Sequence, residues 1–215
     1  MASQSDPITY LIHLHAALGG LALLAGALAI AFTKGSKRHT LSGKFFFFAL
    51  LCSAGLAIVI ACIPSHFSPF LLAVGVFSLY LLLSGYRALR FKEIKIDLRV
   101  DKMISASMLL VGISMIAVPI LVSSKVNVVL FVFGGIGLLL AIRDLKLYRQ
   151  PEQLKKRWLR LHLGNMLGAY IASLTAFMVV NQLLPPLVGW LGPTVIGSIY
   201  IVWWNRKLSR PKSKA

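Results

Sequence analysis

The chain contains seven uncharged apolar stretches of 17 to 21 residues, which are separated by short polar connections. A helix that crosses a membrane needs about 17 to 25 predominantly apolar residues. The stretches cover residues 12–32, 45–63, 68–86, 103–122, 126–142, 163–180 and 187–204. The sequence therefore predicts an all-α, polytopic membrane protein with seven transmembrane helices.

Basic residues fall almost entirely on one side of this predicted bundle. Of the 23 lysines and arginines, 22 lie in alternate connections and the C-terminal segment, and only Lys125 lies on the opposite side. Cytoplasmic loops carry an excess of Lys and Arg, so the pattern predicts an outside N-terminus and an inside C-terminus. We expect these basic residues to interact with the lipid bilayer, through anionic lipids at its cytoplasmic face.

Residues 1–215 are predicted to form a single transmembrane bundle. The connections are too short to hold a folded basic module, so we expect no nucleic acid partner. The start lacks the basic region and cleavage site of a secretory signal, which indicates that the first helix is retained. Short loops without a soluble domain favour the bacterial cytoplasmic (inner) membrane, and a protein partner or a homo-oligomer stays open.

The first three and the last three predicted helices show a weak but ordered similarity. Residues 19–24 resemble 134–139, His39 matches His162, and residues 78–80 match 198–200, at offsets of 115 to 123. Chance similarity between apolar sequences is the alternative explanation. A duplication predicts repeats 11–90 and 126–208 about an axis along the membrane normal, with 103–122 as a linking helix. This is a 3+1+3 parallel repeat.

Two histidines stand at the cytoplasmic starts of predicted helices two and six, at His39 and His162. Neutral imidazole is a common axial ligand of haem iron. The nearby Gly43 and Gly168 would let a flat ligand approach the helix backbone, although glycines also serve helix packing. The pattern makes these four residues candidates for binding haem b or a metal. The competing interpretation is that both histidines lie at the headgroup boundary without a ligand.

The other three histidines, His13, His15 and His66, fall at the predicted outer end. They are weak candidates for an outer metal or second haem site. His13 and His15 are two residues apart, so on a helix their side chains point about 200° away from each other. We therefore expect them to be poor joint ligands.

No catalytic or metal motif of a known kind occurs in the chain, and no charged residue lies inside a predicted span. A carboxylate proton relay therefore has no evident parts. Tyr80, Tyr200 and Asn165 lie within spans, and Arg87 follows the third span. They are candidates to line a substrate pocket, although tyrosines near span ends are also ordinary interfacial aromatics.

The segment from Lys34 to His39, followed by Gly43, has the pattern KGxxxH and then a glycine. Together with the segment from Ser84 to Leu89, it resembles an uncharacterised family of multi-pass bacterial membrane proteins, a domain of unknown function. The resemblance extends over most of the chain. It implies location and helix content, and it implies no activity.

Three functions fit these patterns. The leading interpretation is a redox or binding role, in which His39 and His162 hold a b-type haem or a metal. The second is a small-molecule transporter that uses the three-helix repeat. The third is a scaffold subunit of a membrane complex, and the sequence does not decide whether the protein is an enzyme.

Overall fold

The computed structural model describes residues 7–93, 96–123 and 125–209. Its long helices are α1 (Pro7–Ala31), α2 (Lys37–Cys62), α3 (Pro69–Arg87), α4 (Arg99–Ser123), α5 (Val128–Leu147), α6 (Pro151–Val180) and α7 (Pro186–Ser209). Short 3-10 turns follow α2 at Pro64–His66 and α3 at Ala88–Lys92. Within these ranges, seven helices are long and apolar enough to cross a membrane. The prediction of an all-α bundle of seven such helices is confirmed.

Side-chain contacts bring the C-terminal ends of α1, α3 and α7 to the N-terminal ends of α2, α4 and α6. We call this side of the bundle the basic end, because every described Lys and Arg except Lys125 lies there. Four basic residues of the predicted inner side lie outside the described ranges: Lys95, Arg210, Lys212 and Lys214. The side of the membrane that the basic end faces stays a prediction, and so does the internal repeat.

Helix α3 lies at the centre and packs against α2, α4, α5 and α6. Small residues let the helices approach closely, since dispersion contacts rather than hydrophobic burial drive helix association in lipid. Ala22, Ala73 and Ala169 are fully buried in the core. At the α4–α5 crossing, a Cβ added to Gly112 would lie 3.0 Å from the Gly134 carbonyl oxygen. Only glycine permits this approach of two backbones.

Several helices extend beyond the uncharged stretches. Helix α4 begins at Arg99, α5 continues to Leu147, and α6 begins at Pro151, about three turns before its apolar stretch. Lysine and arginine are good helix formers and do not end a helix by themselves. As a result, Asp101 and Asp144 lie inside helices and are buried. Charged side chains therefore lie within these two helices, outside the uncharged stretches 103–122 and 126–142 that the sequence assigned to the membrane.

Candidate functional site

A cavity of about 440 Å³ lies inside the basic end, between α1, α2, α6 and the ends of α3 and α7. Its volume falls within the range of about 300 to 1,000 Å³ that small-molecule sites occupy. His39 from α2 and His162 from α6 both line it, and we call it the histidine cavity. The structure therefore brings this pair of candidate residues together in one site.

His39 is held in place by the end of the preceding helix. Ser36 caps the N-terminus of α2 by accepting a hydrogen bond from the His39 backbone amide at 3.1 Å. On the side chain, Nδ1 lies 2.8 Å from the Ala29 carbonyl oxygen. This carbonyl belongs to the last turn of α1, where helical carbonyls lack a partner within the helix. His39 therefore closes the end of α1 while it faces the cavity.

His162 is held in the same way by another helix. Its Nδ1 lies 2.8 Å from the Gly85 carbonyl oxygen, in the last turn of α3. Gly85 suits this position because α6 passes very close to it. A Cβ added to Gly85 would lie 3.0 Å from the Met166 backbone nitrogen. Both histidines of the cavity are thus held by a carbonyl in the last turn of a neighbouring helix.

These two contacts determine the tautomer of each ring. A carbonyl oxygen can only accept, so Nδ1 carries the proton in both histidines. A neutral ring protonated at Nδ1 has its free lone pair at Nε2. Within the described residues, no hydrogen bond is recorded at Nε2 of His39 or His162. Histidines that bind metals are oriented in this manner, with the second ring nitrogen donating to a carbonyl or carboxylate.

The rest of the cavity combines apolar walls with a cationic edge. Lys34 donates to the Ala29 and Ile30 carbonyls at 3.2 and 2.5 Å, and its ammonium lies 5.6 Å from the centre of the Trp204 ring. Lys92 lies 5.5 Å from the Trp158 ring centre. Both lysines, Lys44 and both tryptophans line the cavity. A flat apolar ligand with negative groups on one edge would match this distribution.

The two glycines that the sequence predicts to contact the same cofactor lie in different places in the structure. Gly43 lines the histidine cavity, and a Cβ added there would meet no atom within 4 Å. Its missing side chain leaves space one turn from His39. Gly168 instead lies on another face of α6, where an added Cβ would be 3.1 Å from a methyl group of Leu81. Gly168 therefore lies outside the histidine cavity.

The three remaining histidines do not form a common site. His15 contacts the Ser53 carbonyl oxygen through Nδ1 at 2.9 Å and so joins α1 to α2. His13 is exposed, and His66 is exposed with its Nδ1 3.0 Å from the Ser65 hydroxyl. Across the described ranges, no group of three or more His, Cys, Asp or Glu side chains is arranged to hold a metal ion.

A second polar site, which sequence reasoning missed, joins α3, α4 and α5. We call it the carboxylate cluster; it comprises Tyr80, Arg87, Asp101, Arg143 and Asp144. Arg87 makes a bidentate ion pair with Asp101, with N–O distances of 2.8 and 2.6 Å. The Tyr80 hydroxyl donates to Asp144 at 2.8 Å, and Arg143 donates to the other oxygen of Asp144. Every carboxylate oxygen is thereby satisfied.

Tyr148 lies beside this cluster, just past the end of α5. Burial raises the pKa of its phenol, and the nearby Asp144 carboxylate raises it further. Tyr148 therefore stays neutral at every physiological pH. The cluster is closed and has no free ligand atom, which distinguishes it from the histidine cavity.

The four candidates for a substrate pocket are dispersed. Tyr80 and Arg87 belong to the carboxylate cluster. Tyr200 stacks on Trp203 with ring centres 6.0 Å apart. Asn165 is buried and lines a separate crevice between α5, α6 and α7. Only the histidine pair is gathered around one cavity.

Neither a protein-family model, nor a curated protein, nor a solved structure matches the chain. The resemblance to the uncharacterised membrane family therefore stays a prediction. Functional inference depends on the geometry of the site.

Proposed function

We propose that the histidine cavity binds one b-type haem, which His39 and His162 would hold. The proposal rests on one observation: two imidazoles that line the same cavity are oriented in the same way by hydrogen bonds. Each ring donates a hydrogen bond from Nδ1–H to a helix-end carbonyl and leaves the Nε2 lone pair for a ligand. Two such nitrogens suit haem, whereas a non-haem metal usually needs three or more protein ligands.

The surroundings fit the group in three further respects. Lys34, Lys44 and Lys92 supply positive charge for carboxylate substituents. Gly43 leaves the α2 backbone open to a flat ring. Within the described residues, no Cα atom of α2 lies within 8 Å of a Cα atom of α6. The two ligand helices are thus separated at the place where the ring would lie.

A haem held by both histidines would supply one-electron transfer. The chain's own contribution is to orient both imidazoles and to keep the site apolar. The helix ends also matter, because a carbonyl that accepts from Nδ1 makes the imidazole a stronger electron donor at Nε2. We therefore propose a membrane-embedded haem protein with a redox or haem-binding role.

The test is the absorbance spectrum of protein purified after expression with added haemin. We expect a Soret band, one haem per chain, and the spectrum of a six-coordinate low-spin iron. His39→Ala and His162→Ala should each lose this spectrum. His66→Ala is the matched control, because His66 is exposed and lies outside the cavity; it should keep the full haem content.

Colourless wild-type protein after haemin supplementation would contradict the proposal. Equal loss of haem in His66→Ala would show that the absorbance comes from non-specific binding. Transport and scaffolding both predict no Soret band, so the same spectrum separates haem binding from these two interpretations. Metal analysis of the same sample tests the non-haem alternative.

We also propose that the basic end faces the cytoplasm of a bacterial inner membrane. The support is the separation of charge: described basic side chains other than Lys125 lie at that end. A reporter fused after Ala215 should be active only if it functions in the cytoplasm. Activity of a periplasm-dependent reporter at that position would reverse the assigned orientation.

A further inference from the structure

A crevice of about 1040 Å³ lies between α5, α6 and α7, away from the histidine cavity. We call it the lateral crevice. Phe77 and Leu81 of α3 form part of its lining, and α5 contributes Ile136 and Leu139. These two α5 side chains are 42% and 70% exposed, so the wall of the crevice continues into the outer, lipid-facing surface.

Positive charge is concentrated where the lateral crevice reaches the basic end. Its lining there includes Arg143 and Lys146 from α5, and Arg157 and Arg160 from α6. No carboxylate lines the crevice within the described part of the chain. Among the described residues, Arg143 is the one of these four cations that forms an ion pair, with Asp144. Arg160 donates to the neutral Ser209 hydroxyl. The crevice is therefore complementary to an anion.

One face of α6 is positively charged near the basic end and becomes largely apolar deeper in the bundle. Along that face Arg157 and Arg160 are followed by Gly164, Gly168, Ile171 and Thr175. These residues recur at the three- to four-residue spacing of one helix face. The distance from Arg157 to Thr175 is about 27 Å along the helix axis, so the crevice extends beyond the middle of a bilayer core of about 30 Å.

Two features of the crevice indicate that it binds a ligand. A Cβ added to Gly164 would meet no atom within 4 Å, so this glycine leaves a groove that no other side chain fills. At the deep end, the Thr175 hydroxyl is buried, lines the crevice and has no hydrogen-bond partner among the described residues. Asn165 lies about 8 Å along the helix axis below Arg160, at the depth where the ester groups of a lipid follow its phosphate.

We propose that the lateral crevice is a specific site for one anionic phospholipid. Its phosphate lies among Lys146, Arg157 and Arg160, and an acyl chain lies in the groove at Gly164. Basic pockets between transmembrane helices are suited to lipid phosphates. The proposal is independent of haem binding, because the lateral crevice and the histidine cavity share no lining residue.

The test uses native mass spectrometry of the full-length protein, delipidated in detergent and titrated with phosphatidylglycerol or with phosphatidylcholine of the same acyl chains. We expect one phosphatidylglycerol to be retained and phosphatidylcholine to be lost. Each cation near the phosphate contributes roughly fivefold to affinity. The double variant Lys146→Gln/Arg157→Gln should therefore bind phosphatidylglycerol about 30-fold more weakly.

Lys155→Gln/Lys156→Gln is the matched control, because both lysines are exposed on α6 and do not line the crevice. It removes the same charge and should bind like the wild type. Equal weakening in both double variants, or equal retention of both lipids, overturns the proposal in favour of general surface charge. Displacement of the lipid by excess glycerol phosphate also overturns it, since the site would then take a soluble anion.

A second variant tests the groove without changing charge. Gly164→Leu places a side chain in open space, so the protein should fold while the acyl chain is excluded. We expect loss of the retained phosphatidylglycerol with an unchanged melting temperature in detergent. Unchanged lipid retention in folded Gly164→Leu protein would overturn the assignment of the acyl chain to this groove.

Discussion

The histidine cavity and the carboxylate cluster are both polar sites inside the basic end, but they differ in whether their polar atoms are satisfied. In the carboxylate cluster, Arg87 with Asp101 and Tyr80 with Asp144 satisfy each other at 2.6 to 2.8 Å. In the histidine cavity, each imidazole is satisfied at Nδ1 only. A closed set of polar groups fastens helices together, whereas a set with free atoms facing a cavity can bind a ligand.

Breaking the ion pair in the carboxylate cluster should have the largest effect on stability. Arg87→Met leaves the Asp101 carboxylate, with a side chain only 1% exposed, buried without its partner. Loss of one member of a buried pair costs about 3 to 5 kcal/mol. We expect the apparent free energy of unfolding in mixed micelles to fall by that amount.

The double variant Arg87→Met/Asp101→Leu sharpens this test, because replacing both charges with apolar side chains is often neutral. It should recover most of the lost stability. Arg90→Met is the matched control, since Arg90 is exposed and has no recorded ion pair among the described residues. An Arg87→Met variant as stable as the wild type would contradict the role of this ion pair in stabilising the bundle.

The hydrogen bond between Tyr80 and Asp144 should have the next largest effect. Tyr80→Phe removes one donor to a buried carboxylate that keeps its contact with Arg143. A hydrogen bond to a charged group contributes about 1.5 to 3 kcal/mol, and we expect a loss in that range in the same unfolding assay.

Tyr200→Phe provides the comparison for Tyr80→Phe. Tyr200 stacks on Trp203, and the described residues include no hydrogen-bond partner for its hydroxyl. The change should therefore leave stability almost unaltered. Equal effects of the two substitutions would show that the Asp144 contact does not stabilise the bundle.

In the histidine cavity, replacing His39 should abolish haem binding but lower the stability of the haem-free protein only slightly. His39→Ala removes the bond to the Ala29 carbonyl, but Lys34 still donates to that carbonyl at 3.2 Å. Without haem we expect a loss of only about 0.5 to 1.5 kcal/mol. Added haemin should raise the melting temperature of the wild type and leave His39→Ala unchanged, since only a bound ligand stabilises the fold.

The smallest effect is expected at Gly43. Gly43→Ala adds a methyl group in open space and improves helix propensity. The free energy of unfolding should therefore rise by about 0.5 to 1 kcal/mol. Gly26→Ala is the contrasting variant, because its Cβ would lie 2.5 Å from the Tyr170 ring and should destabilise the protein. Similar results for both glycines would contradict the open space assigned beside His39.

The sequence predicted the seven helices because each depends on a long apolar stretch, which is a local property. It also selected His39 and His162, since only five histidines occur and these two precede the second and sixth apolar stretches on the basic side. Helix α6 begins at Pro151, so His162 lies about three turns inside it rather than at its start, where the sequence had predicted it. The helix-end carbonyls that orient the two histidines could not be predicted. Which helix supplies the carbonyl depends on packing between elements, and the partner of His162 is 77 residues away.

The carboxylate cluster was missed because the spans were bounded at charged residues, which placed Asp101 and Asp144 in connections. A signal was nevertheless present. Tyr80, Ser84 and Arg87 recur at the spacing of one helix face, and Asp101 is followed four residues later by buried Ser105. Polar residues at helical spacing beside an apolar stretch indicate a face that is buried against another helix.

The two carbonyl contacts of the histidine cavity also set an order of assembly. His39 and Ala29 are 10 residues apart, so their bond can form as soon as α1 and α2 pair. His162 and Gly85 are separated by 77 residues, and their bond requires α6 to have entered the membrane. Contacts between distant residues form late. The His39 side of the cavity can therefore form early in synthesis, and a haem bound as proposed would be captured only after α6 has been inserted.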